Sequence, residues 1–317
     1  MNSDNCWKLR DWIDKEKLCC LSILSNKSLY ISKFLKKNFG SMLDKKIAYC
    51  VRMKLSNNPS AIDLLEENKD LIEWSILSLY PWAIHILEKN QDKINWNYLS
   101  CNPAAIHLLK KNPRHIHWKH LSGNKSAMDL IEKNIHLVDW DFLSKNTSAI
   151  DLLAKNLDKV NWSSLSQNPS AIPILEQNPE KIDWRFLSNN PSAIDLLEKN
   201  IDEIDWDMLS TNKSAIHLLE KNLDKINWIG LSSNLSAIQI LEKNLDKIKW
   251  SSLSSNPSAI HILEKNQKKI DWQGLSTNLS IFVQDYDFLK KRMNIIRDEL
   301  LARTWHPDRY EEWCSPF

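Results

Sequence analysis

Asp183-Trp184-Arg185-Phe186-Leu187-Ser188-Asn189-Asn190-Pro191-Ser192-Ala193-Ile194-Asp195-Leu196-Leu197-Glu198-Lys199-Asn200 is the stretch on which the fold turns. Asp183 is a short acceptor placed just before Trp184 and Leu187, which stand at i and i+3. That is the signature of a helix N-cap followed by a one-sided apolar pair. Asn190-Pro191 then reads as a second helix start, because a proline at the first helical position forfeits only an N–H that is unpaired anyway. Ile194, Leu196 and Leu197 group on one side, Glu198 and Lys199 point outward, and Asn200 is expected as a left-handed C-cap. The stretch predicts two short helices folded into a hairpin.

The same unit recurs along the chain. Trp74, Trp96, Trp118, Trp140, Trp162, Trp184, Trp206, Trp228, Trp250 and Trp272 are spaced by 22 residues without an insertion, each followed by Leu at +3 and Ser at +4. Asn stands at +6 in every unit but one, where Tyr80 replaces it, and a second Asn column runs from Asn68 to Asn266. A fixed period of this length means stacked supersecondary units. The expected fold is therefore all-α, a solenoid of about ten 22-residue helical hairpins. A leucine-rich-repeat-like solenoid is the alternative, since it too can use a period of 22 and an Asn ladder. Against it, W-x-x-L-S shows no period-2 alternation, and A-I-x-L-L-E-K is a good helix former. A single hairpin buries too little to fold alone, so Trp, Leu, Ile and Ala columns are expected to stack between neighbours. Ten units at helix-packing distance predict a rod or arc roughly 90 Å long.

Both ends depart from the unit, which divides the chain into three parts. Residues 1–54 keep only fragments (Trp12-Ile13-Asp14, Leu24-Ser25-Asn26-Lys27-Ser28, Phe34-Leu35-Lys36-Lys37-Asn38), with Arg52 where a Trp would fall. They are expected to form a degenerate N-terminal cap. Residues 55–280 are the solenoid. Residues 281–317 are expected to form a capping helix, roughly Asp285 to Arg303, and a tail.

The unit resembles the N-P-x-A-I-x-L-L-E-K-N-x-D-K-I-x-W-x-x-L-S repeats of proteins from giant DNA viruses that infect amoebae. The likeness covers about 55–280, and Trp12-Ile13-Asp14 and His306-Pro307-x-Arg309 resemble that family's start and finish. It implies a repeat protein of presumed interaction function from a large DNA virus, with no catalytic residues to carry over.

Composition narrows the function classes. Forty-two basic against 40 acidic residues leave a net charge of +2, which gives no electrostatic case for nucleic acid or an anionic membrane. Four isolated glycines leave no phosphate-cradling loop. No apolar run reaches membrane length and the start is polar, so the chain is expected inside the cell, in host cytoplasm or virion. Cys6, Cys19, Cys20, Cys50, Cys101 and Cys314 have no regular spacing and read as reduced thiols. His85, His107, His217 and His261 share a column with Asp63, Asp129, Asp151 and Asp195, and read as a solvent-facing polar position. His115, His117, His120 and His136 form a denser patch, without carboxylate or Cys ligands at zinc spacing. His306-Pro307-Asp308 resembles the J-domain loop of chaperone partners, but too little chain follows for a second helix. No enzyme, cofactor or metal is expected.

The informative variation lies at the two residues after each Trp. They include Tyr98, Lys119, His120, Phe142, Arg185, Phe186 and Met208, and are expected to point away from the core. Tyr, Phe, Met and Arg are residue types enriched in interfaces. They are the candidate partner-binding residues of a non-enzymatic protein–protein interaction scaffold. A virion structural component is one alternative, and single-stranded RNA binding by stacked helix pairs is another, disfavoured by the near-neutral charge.

Overall fold

The computed structural model describes residues 7–27 and 49–304. Each of the nine units from Trp74 to Trp250 contains the two helices expected, for example Trp184–Ser188 and Ile194–Lys199, and the repeats stack as an all-α solenoid. All seven Asp or Asn residues that precede a Trp accept a backbone N–H of the helix they start; Asp183 Oδ1 takes the amide of Phe186 at 3.3 Å. The Asn-Pro-Ser start opens with one tight turn before the α-helix. Asn168 caps the 3-10 turn Pro169–Ala171, and Ile172–Glu176 continues from it. A further 3-10 turn such as Gln91–Lys93 leads back to the next Trp.

The second Asn column caps without left-handed backbone. Asn200 lies at φ −133° and ψ 53°, and no described residue has positive φ. Its amide instead donates to Leu196 O at 2.8 Å, so the side chain takes up a helix-end carbonyl that a left-handed turn would otherwise satisfy. The tryptophans are also less buried than their regularity suggests. The closed columns are Leu at +3, Ser at +4, Asn at +6, and the Ala and second Leu of A-I-x-L-L, all at or near zero exposure. Each Trp is half-buried, and in several units a Lys from the turn that ends the unit lies over the ring, as Lys225 does 4.9 Å above Trp206.

Neighbouring units are joined through buried side chains that bond backbone. Ser188 Oγ donates to Trp184 O at 2.7 Å and accepts the Asp205 amide of the next unit at 3.0 Å. Asn212 donates to Ser188 O and Asn190 O of the preceding unit, both at 3.1 Å, while its Oδ1 accepts the Ser214 amide. Asn102, Asn124, Asn146, Asn168, Asn190, Asn234, Asn256 and Asn278 repeat this bond to the unit before.

The expected open array with an end cap is not what the chain forms. Asn58 donates to Leu24 O and Asn26 O at 2.9 and 2.8 Å, and Asn26 in turn donates to Ser276 O and Asn278 O at 3.2 and 2.9 Å. The ladder therefore returns to its own last rung, and the solenoid closes into a ring. Asn26, Asn58, Tyr80, Asn102, Asn124, Asn146, Asn168, Asn190, Asn212, Asn234, Asn256 and Asn278 mark twelve units. Residues 17–27 fill the closing place in register. Lys17 lies 5.2 Å above Trp272, the Cys19 amide donates to Ser276 Oγ at 2.8 Å, and Leu18, Ile23 and Leu24 are buried. A short antiparallel ribbon locks the seam: β1 (Trp7–Leu9) pairs with β2 (Phe282–Gln284), and Arg10 bonds Ile281 O and Ser280 O. The helix Tyr286–Thr304 follows, close to its expected bounds and capped by Asp285. His306-Pro307-Asp308, Phe34-Leu35-Lys36-Lys37-Asn38, Cys6 and Cys314 lie outside the described residues. Among the described residues no helix is long and apolar enough to cross a membrane.

Candidate functional site

A closed ring has an inner and an outer wall, and backbone spacing tells which is which. Successive Trp helices, such as those starting at Trp140, Trp162, Trp184 and Trp206, pack backbone close to backbone. At Gly274 the approach is close enough that an added Cβ would meet Ser251 O at 3.0 Å. Successive Ile helices stand farther apart and are bridged by long side chains. His85–Glu66, His107–Glu88, His217–Glu198 and His261–Glu242 each link neighbouring units at 2.6–2.8 Å. The Trp helices are thus the inner wall, and the histidine column lies on the outer one, paired to carboxylates. Among the described residues no group of three or more His, Cys, Asp or Glu gathers to hold a metal ion.

At 3.6 residues per turn, Trp, Leu +3 and Ser +4 share the face turned to the Ile helices. Positions +1, +2 and +5 share the opposite face, which looks into the lumen. The variable pair is therefore the lining of the ring. Twelve inner helices at roughly 8–9 Å per step give a circumference on the order of 100 Å, leaving an opening about 20 Å across inside the helices.

The lining is uneven, and the candidate residues fall into two groups. Tyr98, His120 and Phe142 follow one another across three units, with ring centroids 6.2 and 5.9 Å apart. Lys119 stands 5.3 Å over Phe142 and 3.9 Å from Asp139. Arg185, Phe186 and Met208 lie further round, separated from the first group by the unit carrying buried Ser164. Arg185 and Lys119 are open to solvent, whereas His120, Phe142, Phe186 and Met208 are half-buried, so position +2 packs partly between units instead of pointing wholly away. Beyond Met208 the lining is mixed: Ile229 is 58% exposed beside Gly230, and Ser233, Ser251, Ser252, Ser255, Gln273 and Gly274 follow.

Two contributors escape a reading confined to the variable pair. Position +5 shares the lumen face, as the helical period implies; Gly123 sits there, within van der Waals reach of Phe142 Cδ1 for any added Cβ. His117, the residue before Trp118, is the other. Its Nδ1 accepts the His120 amide at 3.4 Å, doing the capping that Asp or Asn does elsewhere, and its ring tilts against His120 at 4.3 Å. Nδ1 can accept only while it carries no proton. Burial, then the nearby His120 and Lys119, push the pKa of His117 below its ordinary value of 6.5.

The folded state therefore resists a proton that the unfolded chain accepts, so stability is full above about pH 6.5 and declines as pH falls toward the folded pKa. Urea denaturation at pH about 7 and 5 is expected to show a lower midpoint at the acid end. His117→Asn, which caps without titrating, should reduce that difference; an unchanged difference would refute the capping role.

Compared with known proteins, the chain matches no family model, no curated protein and no solved structure.

Proposed function

We propose that the chain is a non-enzymatic, ring-shaped scaffold that holds a protein partner in its lumen. One observation carries this reading: the two positions after each Trp, which change in every chemical respect between otherwise near-identical units, are ones that line the lumen. Stacking fixes the Leu, Ser, Asn and Ala columns, because each is closed between backbones, and leaves the lining free to be specified. What stands there on one arc is Tyr98, Phe142, Arg185, Phe186 and Met208, side chains that supply contact energy at interfaces. The repeat resemblance points to a large DNA virus as the source, so the partner is a host protein or another viral one. A virion component is the competing role, and purified particles containing the chain bound to capsid or core proteins would favour it.

The test is site-specific photo-crosslinking in the producing cell. A photoreactive residue at Tyr98 or Arg185 is expected to trap a polypeptide that the same residue at outer-wall Asp195 does not. Tyr98→Ser with Arg185→Ser is expected to weaken that partner's binding about thirtyfold or more, with unchanged circular dichroism, since interface anchors of these types reach roughly 2 kcal/mol each. Equal trapping from both walls, or no loss on substitution, would remove the lumen as the binding site. Trapping of RNA from Lys119, weakened steeply by salt, would replace protein with single-stranded RNA.

A further inference from the structure

Independently of what the lumen holds, we infer that the helix Tyr286–Thr304 joins two rings by pairing antiparallel with the same helix of a second copy. Among the described residues this helix is packed only at its root. Phe288 and Leu289 are half-buried there, while Tyr286, Met293 and Ile295 are 72%, 64% and 59% exposed, the highest values of any large apolar residue described. A helix in a folded protein draws most of its stability from a packed face, and this one has 19 residues with such a face left open. Residue spacing says what kind of cover the face takes. Tyr286, Leu289, Met293, Ile296 and Leu300 follow one another at alternating steps of three and four residues, the a and d positions of a heptad. Lys290 and Arg297 fall at e, Arg292 and Glu299 at g, and Ile295 at c, off the stripe. An a/d stripe bordered by charge is the narrow seam that a single partner helix covers.

Charge picks the second copy and its direction. In an antiparallel pair each a position comes level with a d position of the second copy: Leu289 with Leu300, Met293 with Ile296, and Tyr286 with Arg303, an aromatic residue beside a cationic one. The same register sets Arg292 level with Glu299 of the second copy, and the two-fold axis repeats that pair. It leaves one like-charged pair, Lys290 with Arg297, and Arg297 already bonds Asp298 at 3.2 Å. Parallel pairing is worse. It sets Arg303 level with its own copy inside the seam and Arg292 level with Arg297, and offers in return only Asp285, which caps the helix, level with Lys290. The helix is thus its own complement when reversed.

Sedimentation velocity of the full chain, from about 1 to 100 μM, is the test. A species of twice the 37.1 kDa chain mass is expected to grow with concentration. Met293→Glu, which sets a carboxylate in the seam, should weaken the association about tenfold or more. Ile295→Glu is the matched control, on the same helix and as open to solvent but off the stripe, and should leave it unchanged. Arg292→Glu should weaken the pair severalfold, and adding Glu299→Arg should restore it, because the two charges then exchange places across the axis. Under parallel pairing Arg292→Glu would instead face Arg297 and strengthen the dimer. A chain that sediments as a single ring throughout the range, an equal loss from Ile295→Glu and Met293→Glu, or a dimer strengthened by Arg292→Glu would overturn the inference.

Discussion

Asn168→Asp is expected to lower the stability of the ring by about 3–5 kcal/mol, although it exchanges only an NH2 for an oxygen. Asn168 is 1% exposed. Its amide donates to Ser144 O at 3.0 Å and Asn146 O at 3.3 Å, and its Oδ1 accepts the Ser170 amide at 3.0 Å. The aspartate would keep the last bond and turn the first two into contacts between a carboxylate oxygen and two carbonyl oxygens. A buried charge with no cation beside it has two escapes, to take up a proton or to drag the units apart. The penalty should therefore shrink as pH falls, because the protonated acid can donate one bond where the ionised one donates none. Asn178→Asp is the matched control. Asn178 belongs to the outer column, half-buried, with a single amide bond to Ile174 O at 2.8 Å, and its loss should cost about 1 kcal/mol. Urea unfolding followed by Trp fluorescence distinguishes the two. Similar costs at both columns would mean that the inner ladder is not what joins the units.

That contrast also marks how far the sequence could be read. Both Asn columns are equally regular in the primary structure, yet one is closed between backbones and the other caps a helix at the surface. Spacing shows that a residue is constrained, not which carbonyl it must reach. The unit itself was legible because its parts are local: Asp183 caps within three residues, and Asn190 caps within two. Ring closure was not, because it depends on curvature summed over twelve interfaces. The wedge between closely packed Trp helices and spread Ile helices is a small angle per unit, invisible in any one of them. Asn26 sits in a fragment of the unit whose neighbours disguise it. Cys20 stands in the Trp column and Leu24 in the Ser column, so the closing unit reads as decay of the pattern. The candidate residues were found as a variable pair, and the lumen gives a physical reason for that variability. Position +5, mostly small or polar from Gly123 to Thr277, looks like ordinary surface in the sequence.

Deleting the chain through Lys27 is expected to turn a closed molecule into one that associates head to tail. Eleven of the twelve unit boundaries lie between consecutive stretches of chain; the boundary between Asn278 and Asn26 alone is held by non-covalent contacts. Removing the closing unit uncovers two faces that are complementary by construction. One presents Ser276 O, Asn278 O and Ser276 Oγ as acceptors; the other presents the Asn58 amide, which loses Leu24 O and Asn26 O. Both faces also carry apolar side chains that the ring keeps buried, Ile281 and Leu275 on one side and Leu55 on the other. Within one chain the gap is now a unit wide, so the faces meet more easily between chains. Such a contact is heterologous and does not close by symmetry, which favours larger rings or filaments. Light scattering on the eluting variant should show masses above that of the intact chain's species, rising with concentration. Joining the seam is the converse experiment. Lys8 and Val283 face each other across the ribbon, so Lys8→Cys with Val283→Cys places two thiols at directly opposed strand positions, the separation a disulfide needs. The oxidised form should unfold at higher urea than its reduced form. A deletion variant that elutes with the mass and radius of the intact chain would show that residues 7–27 decorate the ring and do not complete it.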